Sequence, residues 1–172
     1  AARTGDNGDQ RAMADNTYDK RHYEDFTVGE RMEYGATEVT ADAIIAFARE
    51  YDPEPYHTDP EAAKGTLLGQ LCASGTQVCA WYRRMNFDAF PNMNSEASPG
   101  WDRIRWHKPV IPGDVLSVRS TVTEMRVLET KPHLGLVKFD QEVLNQHGEL
   151  KSTLSATVFY RRREDAGEPS AA

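Results

Sequence analysis

ADAIIAFAREYDPEPYHTDPEAA (residues 41–63) is the stretch on which the reading of this chain turns. Ile44, Phe47, Ala48 and Tyr51 recur at the i, i+3, i+4, i+7 spacing, which predicts an amphipathic helix over 41–51. Thr40 is placed to cap it, and Asp42 adds negative charge to its first turn. Pro53 ends the helix. A residue before proline is pushed out of the α region, so Asp52 and Glu54 both become extended and the chain stiffens. Asp59-Pro60 then restarts a helix, with a capping side chain followed by proline at the first helical position. A carboxylate, Asp52, and an imidazole, His57, are thereby set five residues apart on a rigid loop between two helices.

An acid and an imidazole held still can share one water molecule and divide its proton and hydroxyl onto a substrate. Either residue alone carries little weight, because Asp-Pro turns are ordinary connectors and single histidines are more often structural. Downstream, GQLCASG (69–75) opens a stretch predicted as a helix over 71–85. Its run of small residues, Cys72 to Thr76 with Cys79 and Ala80, lets a sheet wrap closely around it, while Val78, Trp81, Tyr82 and Met85 supply bulk further on. A glycine in the first turn of a helix exposes a bare N–H to a ligand oxygen, where the helix dipole favours developing negative charge. Acid, imidazole and oxyanion donor together point to chemistry beside a carbonyl.

FAREYDPEPYHTDPEAA (47–63), GQLCASG (69–75) and WHKPVIPGDVL (106–116) resemble the MaoC-like dehydratases, relatives of the R-specific enoyl-CoA hydratases. Asp52, Pro55 and His57 match that signature, as do Asp59, Pro60, Ala62 and Ala63; Ser74-Gly75 falls where the family places its oxyanion glycine. The likeness extends over roughly residues 22 to 162. It implies an α+β chain with a single hotdog fold, an antiparallel sheet wrapped around a long central helix. It implies a hydratase or dehydratase acting on an acyl thioester, with Asp52 and His57 as catalytic residues and Gly75, Ser74 and Tyr56 binding the substrate. Coenzyme A, or an acyl carrier protein, enters as part of the substrate, with no separate cofactor, and the partner is a second copy of the chain in a homodimer or higher oligomer. One departure is Glu54, which stands where the hydratase signature usually has asparagine; this bears on the substrate more than on the fold.

Outside the motifs, the chain reads as one domain (21–162) between a polar arm (1–20) and a solvated tail (163–172). Period-two patterns mark strands at Arg31–Val39, from Trp101, at Val115–Val127, at Leu134–Val143 and at Leu150–Tyr160. Pro112-Gly113-Asp114 and NQHG (145–148) mark turns. NFDAFPNMNSEASPG (86–100) reads as a long loop, in which Phe87, Phe90 and Met93 either border an acyl pocket or anchor the loop to the surface.

A net charge of −7 argues against general nucleic-acid binding, and no apolar run is long enough for a membrane helix. The histidines His22, His57, His107, His133 and His147 are scattered without zinc spacing. Cys72 and Cys79, seven apart on one expected helix, cannot bridge, and free thiols fit a cytoplasmic location. Arg83, Arg84, Arg103, Arg105 and Lys108 are candidates for a carrier's phosphates, or simply solvate a helix end and a strand face. Two alternatives remain open beside hydration. A hotdog thioesterase usually draws an acidic residue from the central helix, and 71–85 contains none. A module that binds acyl thioesters without turning them over is the other.

Overall fold

The structure, a computed structural model, describes residues 21–91 and 93–163. The arm expected at 1–20 and residues 164–172 of the expected tail lie outside them. A short 3-10 turn (Tyr23–Asp25) leads into β1 (Arg31–Glu38), and α1 (Ala41–Tyr51), α2 (Pro55–Thr58) and α3 (Pro60–Lys64) follow. Then come α4 (Gly75–Ala89), β2 (Ser95–Trp106), β3 (Val115–Leu128), β4 (Lys131–Leu144) and β5 (Leu150–Arg161). The five strands form one antiparallel sheet in the order β1-β3-β4-β5-β2. This is the α+β hotdog architecture expected from the motifs.

The alternation read from β3, β4 and β5 turns one side chain in two toward α4. Val78, Tyr82 and Met85 of that helix pack on Leu116, Val118, Val143, Leu154 and Ala156. Each fully buried side chain of this size contributes about 1.5–3 kcal/mol. Thr40 caps α1 by accepting from the Ala43 amide, and Asp59 caps α3 through the Glu61 and Ala62 amides.

Two expectations are corrected. The central helix begins at Gly75, not at residue 71, because the backbone before it is used elsewhere: the Cys72 amide donates to the Tyr56 carbonyl (3.3 Å) and the Ala73 amide to the Val110 carbonyl (2.8 Å). Cys72 and Cys79 therefore do not share a helix, although both thiols are free. Second, residues 86–100 are not a long loop. The helix continues to Ala89, with Arg84 paired to Asp88 one turn on, and strand β2 starts at Ser95. Pro99 sits inside β2, which is tolerated because β2 is an edge strand with register shifts against β5. The sheet wraps α4 as expected, and on the far side of the helix Thr76 and Ala80 are exposed and Cys79 is half-buried.

The segment joining β2 to β3 is held from behind. Lys151, only 3% exposed, donates to the Pro109 carbonyl (3.0 Å) and pairs with Asp114 (3.1 Å) and Glu149 (2.7 Å). Gly113 makes the expected turn at φ +92 and donates to the Val39 carbonyl, while the Val39 amide donates to Asp114. Residues 107–110 are thus fixed against the N-terminus of α4, where the site lies.

Candidate active site

Asp52 is the C-cap of α1 and Glu54 the N-cap of α2, so the Pro53 and Pro55 that frame them hold a tight corner. His57 lies on the single turn of α2 and is buried at 6% exposure. Its Nδ1 is 2.6 Å from the Cys72 carbonyl oxygen. A carbonyl only accepts, so Nδ1 carries a proton, and the tautomer this selects has its lone pair at Nε2. That Nε2 lies 3.8 Å from Asp52 Oδ2, too far for a direct hydrogen bond and suited to one shared water. The Tyr56 ring meets the imidazole edge-on at 4.4 Å, restricting its tilt.

Ser74 is fully buried and is the N-cap of α4. Its hydroxyl accepts from the Thr76 amide (3.3 Å) and donates to Asp52 Oδ2 (2.5 Å). Because that proton is committed to Asp52, the Thr76 hydroxyl, 2.7 Å away, is the donor in the pair it forms with Ser74. Two hydroxyls in series thus orient the carboxylate and satisfy its charge. The Gly75 amide is the first of α4 and has no acceptor among the described residues. The Trp106 indole lies against the Gly75 Cα and donates Nε1–H to the Gly75 carbonyl at 3.2 Å. A Cβ at position 75 would stand 2.5 Å from the indole, so only glycine fits.

Asp52, His57, Tyr56, Ser74 and Gly75 all line one open cavity of about 430 Å³, so the expected site residues come together. Residues that the motifs did not single out complete it: Thr76, Trp106, His107 and Leu68. Ser74-Gly75-Thr76-Gln77 has the spacing of a capping box, a signal that locates the true helix start and with it Thr76. The motif WHKPVIPGDVL begins at Trp106 but gives it no role, because that role depends on a strand approaching the helix from 31 residues away.

Glu54 is exposed and absent from the cavity wall; its carbonyl receives the His57 amide and the Thr58 hydroxyl. Among the basic candidates, Arg84 pairs with Asp88, Arg103 with Asp140 and Lys108 with Glu149, and of the five only Lys108 lines this cavity. Phe87, Phe90 and Met93 border a different cavity. Among the described residues no group of three or more His, Cys, Asp or Glu could hold a metal ion, and no helix is long and apolar enough to cross a membrane.

A family profile described as "MaoC like domain" matches residues 25–142. The chain belongs to the MaoC-like family. A MaoC-like dehydratase from Rhodospirillum rubrum is similar in structure (TM-score 0.78, 34% identity), covering 83% of this chain and 98% of that one. Among curated proteins, the uncharacterized protein YdeM of Bacillus subtilis is 28% identical over 127 residues, 72% of this chain and 86% of that protein. The R-hydratase PhaJ1 from Pseudomonas aeruginosa shares the fold (TM-score 0.66, 24% identity, 88% of this chain and 95% of that one).

Proposed function

We propose that this MaoC-like chain adds water to a 2-enoyl thioester, or removes it from a 3-hydroxyacyl thioester, with R stereochemistry. The observation that carries the reading is the 3.8 Å gap between His57 Nε2 and Asp52 Oδ2, beside the unpaired Gly75 amide. One water held between base and carboxylate gives up a proton to the Nε2 lone pair as its hydroxyl adds to the β-carbon. The electron pair moves to the thioester oxygen, where the Gly75 N–H receives it at the positive end of α4. A single donor of this kind is worth ~3–4 kcal/mol. The His57–Asp52 pair then returns a proton to the α-carbon, so that H and OH balance, and the enolate collapses. Run backwards, the same groups eliminate water. Because water is the reactant, the step asks for nothing beyond the thioester's own carrier, coenzyme A or an acyl carrier protein.

The chain is further proposed to work as at least a homodimer. β2 is an edge of the sheet, twelve residues long and almost wholly exposed, and Trp106 at its end is 55% exposed beside the cavity. An uncovered edge of this length is a template for pairing with a second chain. Sedimentation at micromolar protein should show a particle of two chains or more, and a strict monomer would remove this part of the reading.

The reaction is tested by the fall of enoyl-thioester absorbance when the protein meets crotonyl-CoA, run beside Asp52→Asn and His57→Gln. Hydration by the wild type that both substitutions abolish, with the fold intact by circular dichroism, is the expected result. Thiol release without hydration would instead make the chain a thioesterase. Thermal stabilisation by acyl-CoA with neither activity would make it a binding module.

A further inference from the structure

A second cavity, of about 360 Å³, lies along the C-terminal half of α4 against β2, β4 and β5 and shares no lining residue with the catalytic cavity. Phe87, Phe90, Trp101 and Phe139 make its apolar walls. Its floor is polar and buried: Tyr82, Gln141 and Tyr160 line it at 2%, 3% and 6% exposure. Asn86 donates Nδ2 to both Tyr34 Oη (3.3 Å) and Tyr82 Oη (3.4 Å), and Tyr34 in turn donates to Gln141 Oε1 (3.4 Å). Those bonds use the acceptors and leave the donors over. The Gln141 amino group, the Tyr82 hydroxyl proton and the Tyr160 hydroxyl donate to no other described residue, and all three residues line the cavity.

Three donors with no protein acceptor around one cavity are free to serve an acceptor that enters it. Burial pushes the Tyr82 phenol up to about 12 and the Tyr160 phenol higher still, so both stay donors at neutral pH. The charge nearby has the matching sign. Arg83 lines the cavity, has no ion-pair partner among the described residues, and its field reaches Tyr34, Tyr82 and Tyr160. The carboxylate on the cavity wall, Glu96, is already paired to Arg161. Asn86 Oδ1 is the remaining acceptor there, and Ser98 spends its hydroxyl proton on the Thr157 carbonyl.

From these donors and Arg83 we infer that the second cavity binds the carboxylate of a small organic acid, its hydrocarbon part lying against Phe87, Phe90 and Trp101. The carboxylate comes from a free acid or from the far end of an acyl thioester, and only the second source rests on the hydratase reading.

The test titrates the whole protein with succinate and with glutarate, following Trp fluorescence (Trp101 stacks edge-on against Tyr82 at 5.4 Å) and melting temperature, beside the uncharged diamides at equal ionic strength. Saturable binding of a dicarboxylate, at least ~10-fold tighter than its diamide, is expected, as charge-assisted hydrogen bonds require. Tyr82→Phe/Tyr160→Phe, and separately the exposed Arg83→Gln, should each weaken it ~10-fold or more. No saturation by either acid up to ~10 mM, or unchanged affinity in both variants, overturns the proposal; Arg83→Gln decides alone if the double variant does not fold. A second arm compares hydration of an enoyl-CoA ending in a carboxylate with that of the uncharged chain of equal length. A preference for the acidic chain that Arg83→Gln abolishes assigns the carboxylate to the substrate; equal turnover assigns it to a free acid. No turnover of either thioester sinks the hydratase reading and leaves the titration to decide the cavity.

Discussion

The two ends of α4 are built on different principles. At its N-terminus the site is made of neighbours in sequence: Asp52 and His57 on one corner, Ser74 to Thr76 on one turn, nearly every polar atom spent on another. At its C-terminal half the cavity is made of strangers, with Tyr34, Tyr82, Asn86, Gln141 and Tyr160 meeting only through the sheet, and with donors left unspent. The first end is finished without substrate, as the proposed role of positioning one water requires. The second is completed only by what enters it.

Substitutions that unsettle the finished end should have the largest consequences. Asp52→Asn or His57→Gln is expected to cut turnover of an enoyl thioester ~10²–10⁴-fold with the fold retained, read by steady-state kinetics beside circular dichroism. Lys151→Met strips the buried partner from Asp114 and Glu149 behind the cavity wall. A cost of ~3–5 kcal/mol in urea unfolding is expected, because a buried carboxylate is left uncompensated. Gly75→Ala drives a methyl into the Trp106 indole and displaces the proposed oxyanion donor; ~10²-fold lower kcat is expected, partly restored by adding Trp106→Ala.

Acidity tests the same wall. Asp114 is held below the usual carboxylate range by the Ile111 amide, Asn145 and Lys151, which outweigh its burial, and Glu149 is brought down to about 2 by Lys108 and Lys151. A carboxyl whose folded value is depressed adds stability above its unfolded value, near ~4, and that stability is lost as pH falls through the folded value. Melting temperature should therefore hold from neutral pH to about 4 and decline toward 2, with a shallower decline in Lys151→Met.

The smallest effect contrasts one hydroxyl from each end. Ser74→Ala removes a helix cap and should destabilise by ~1 kcal/mol. Tyr160→Phe removes a hydroxyl that lines the second cavity with no protein partner and should leave stability within ~0.5 kcal/mol. Equal losses at both positions in the same melting assay would erase the distinction between the two ends.

The difference also explains what was legible in the sequence. Proline-set corners, caps and alternating strands are local physics, so the α1–α3 corner and the strand pattern could be read directly, whereas the roles expected of Asp52, Tyr56, His57, Ser74 and Gly75 rest on the family resemblance. The start of α4 was misplaced because small residues suit a helix by propensity, whereas the Cys72 and Ala73 amides had already been claimed by Tyr56 and Val110 across the chain. The segment 86–100 was misread because Pro99 signals a loop unless its strand is known to be an edge. Trp106 stands in the 106–116 motif and Phe87, Phe90 and Met93 read as walls of a pocket or anchors of a loop, but nothing local joins either to the polar groups it meets. A hydrogen bond from Tyr34 to Gln141 spans 107 residues, and only the sheet order brings them together.

The Ser74 hydroxyl begins a helix and orients an acid with one oxygen. A descendant of this chain that gave up turnover would still be under selection to keep that serine, because its fold depends on it. Loss of chemistry would register first at Thr76, whose hydroxyl serves Ser74 while its own amide completes the cap whatever the side chain. In judging which relatives of this protein still catalyse, the hydroxyl at position 76 is therefore the more telling witness.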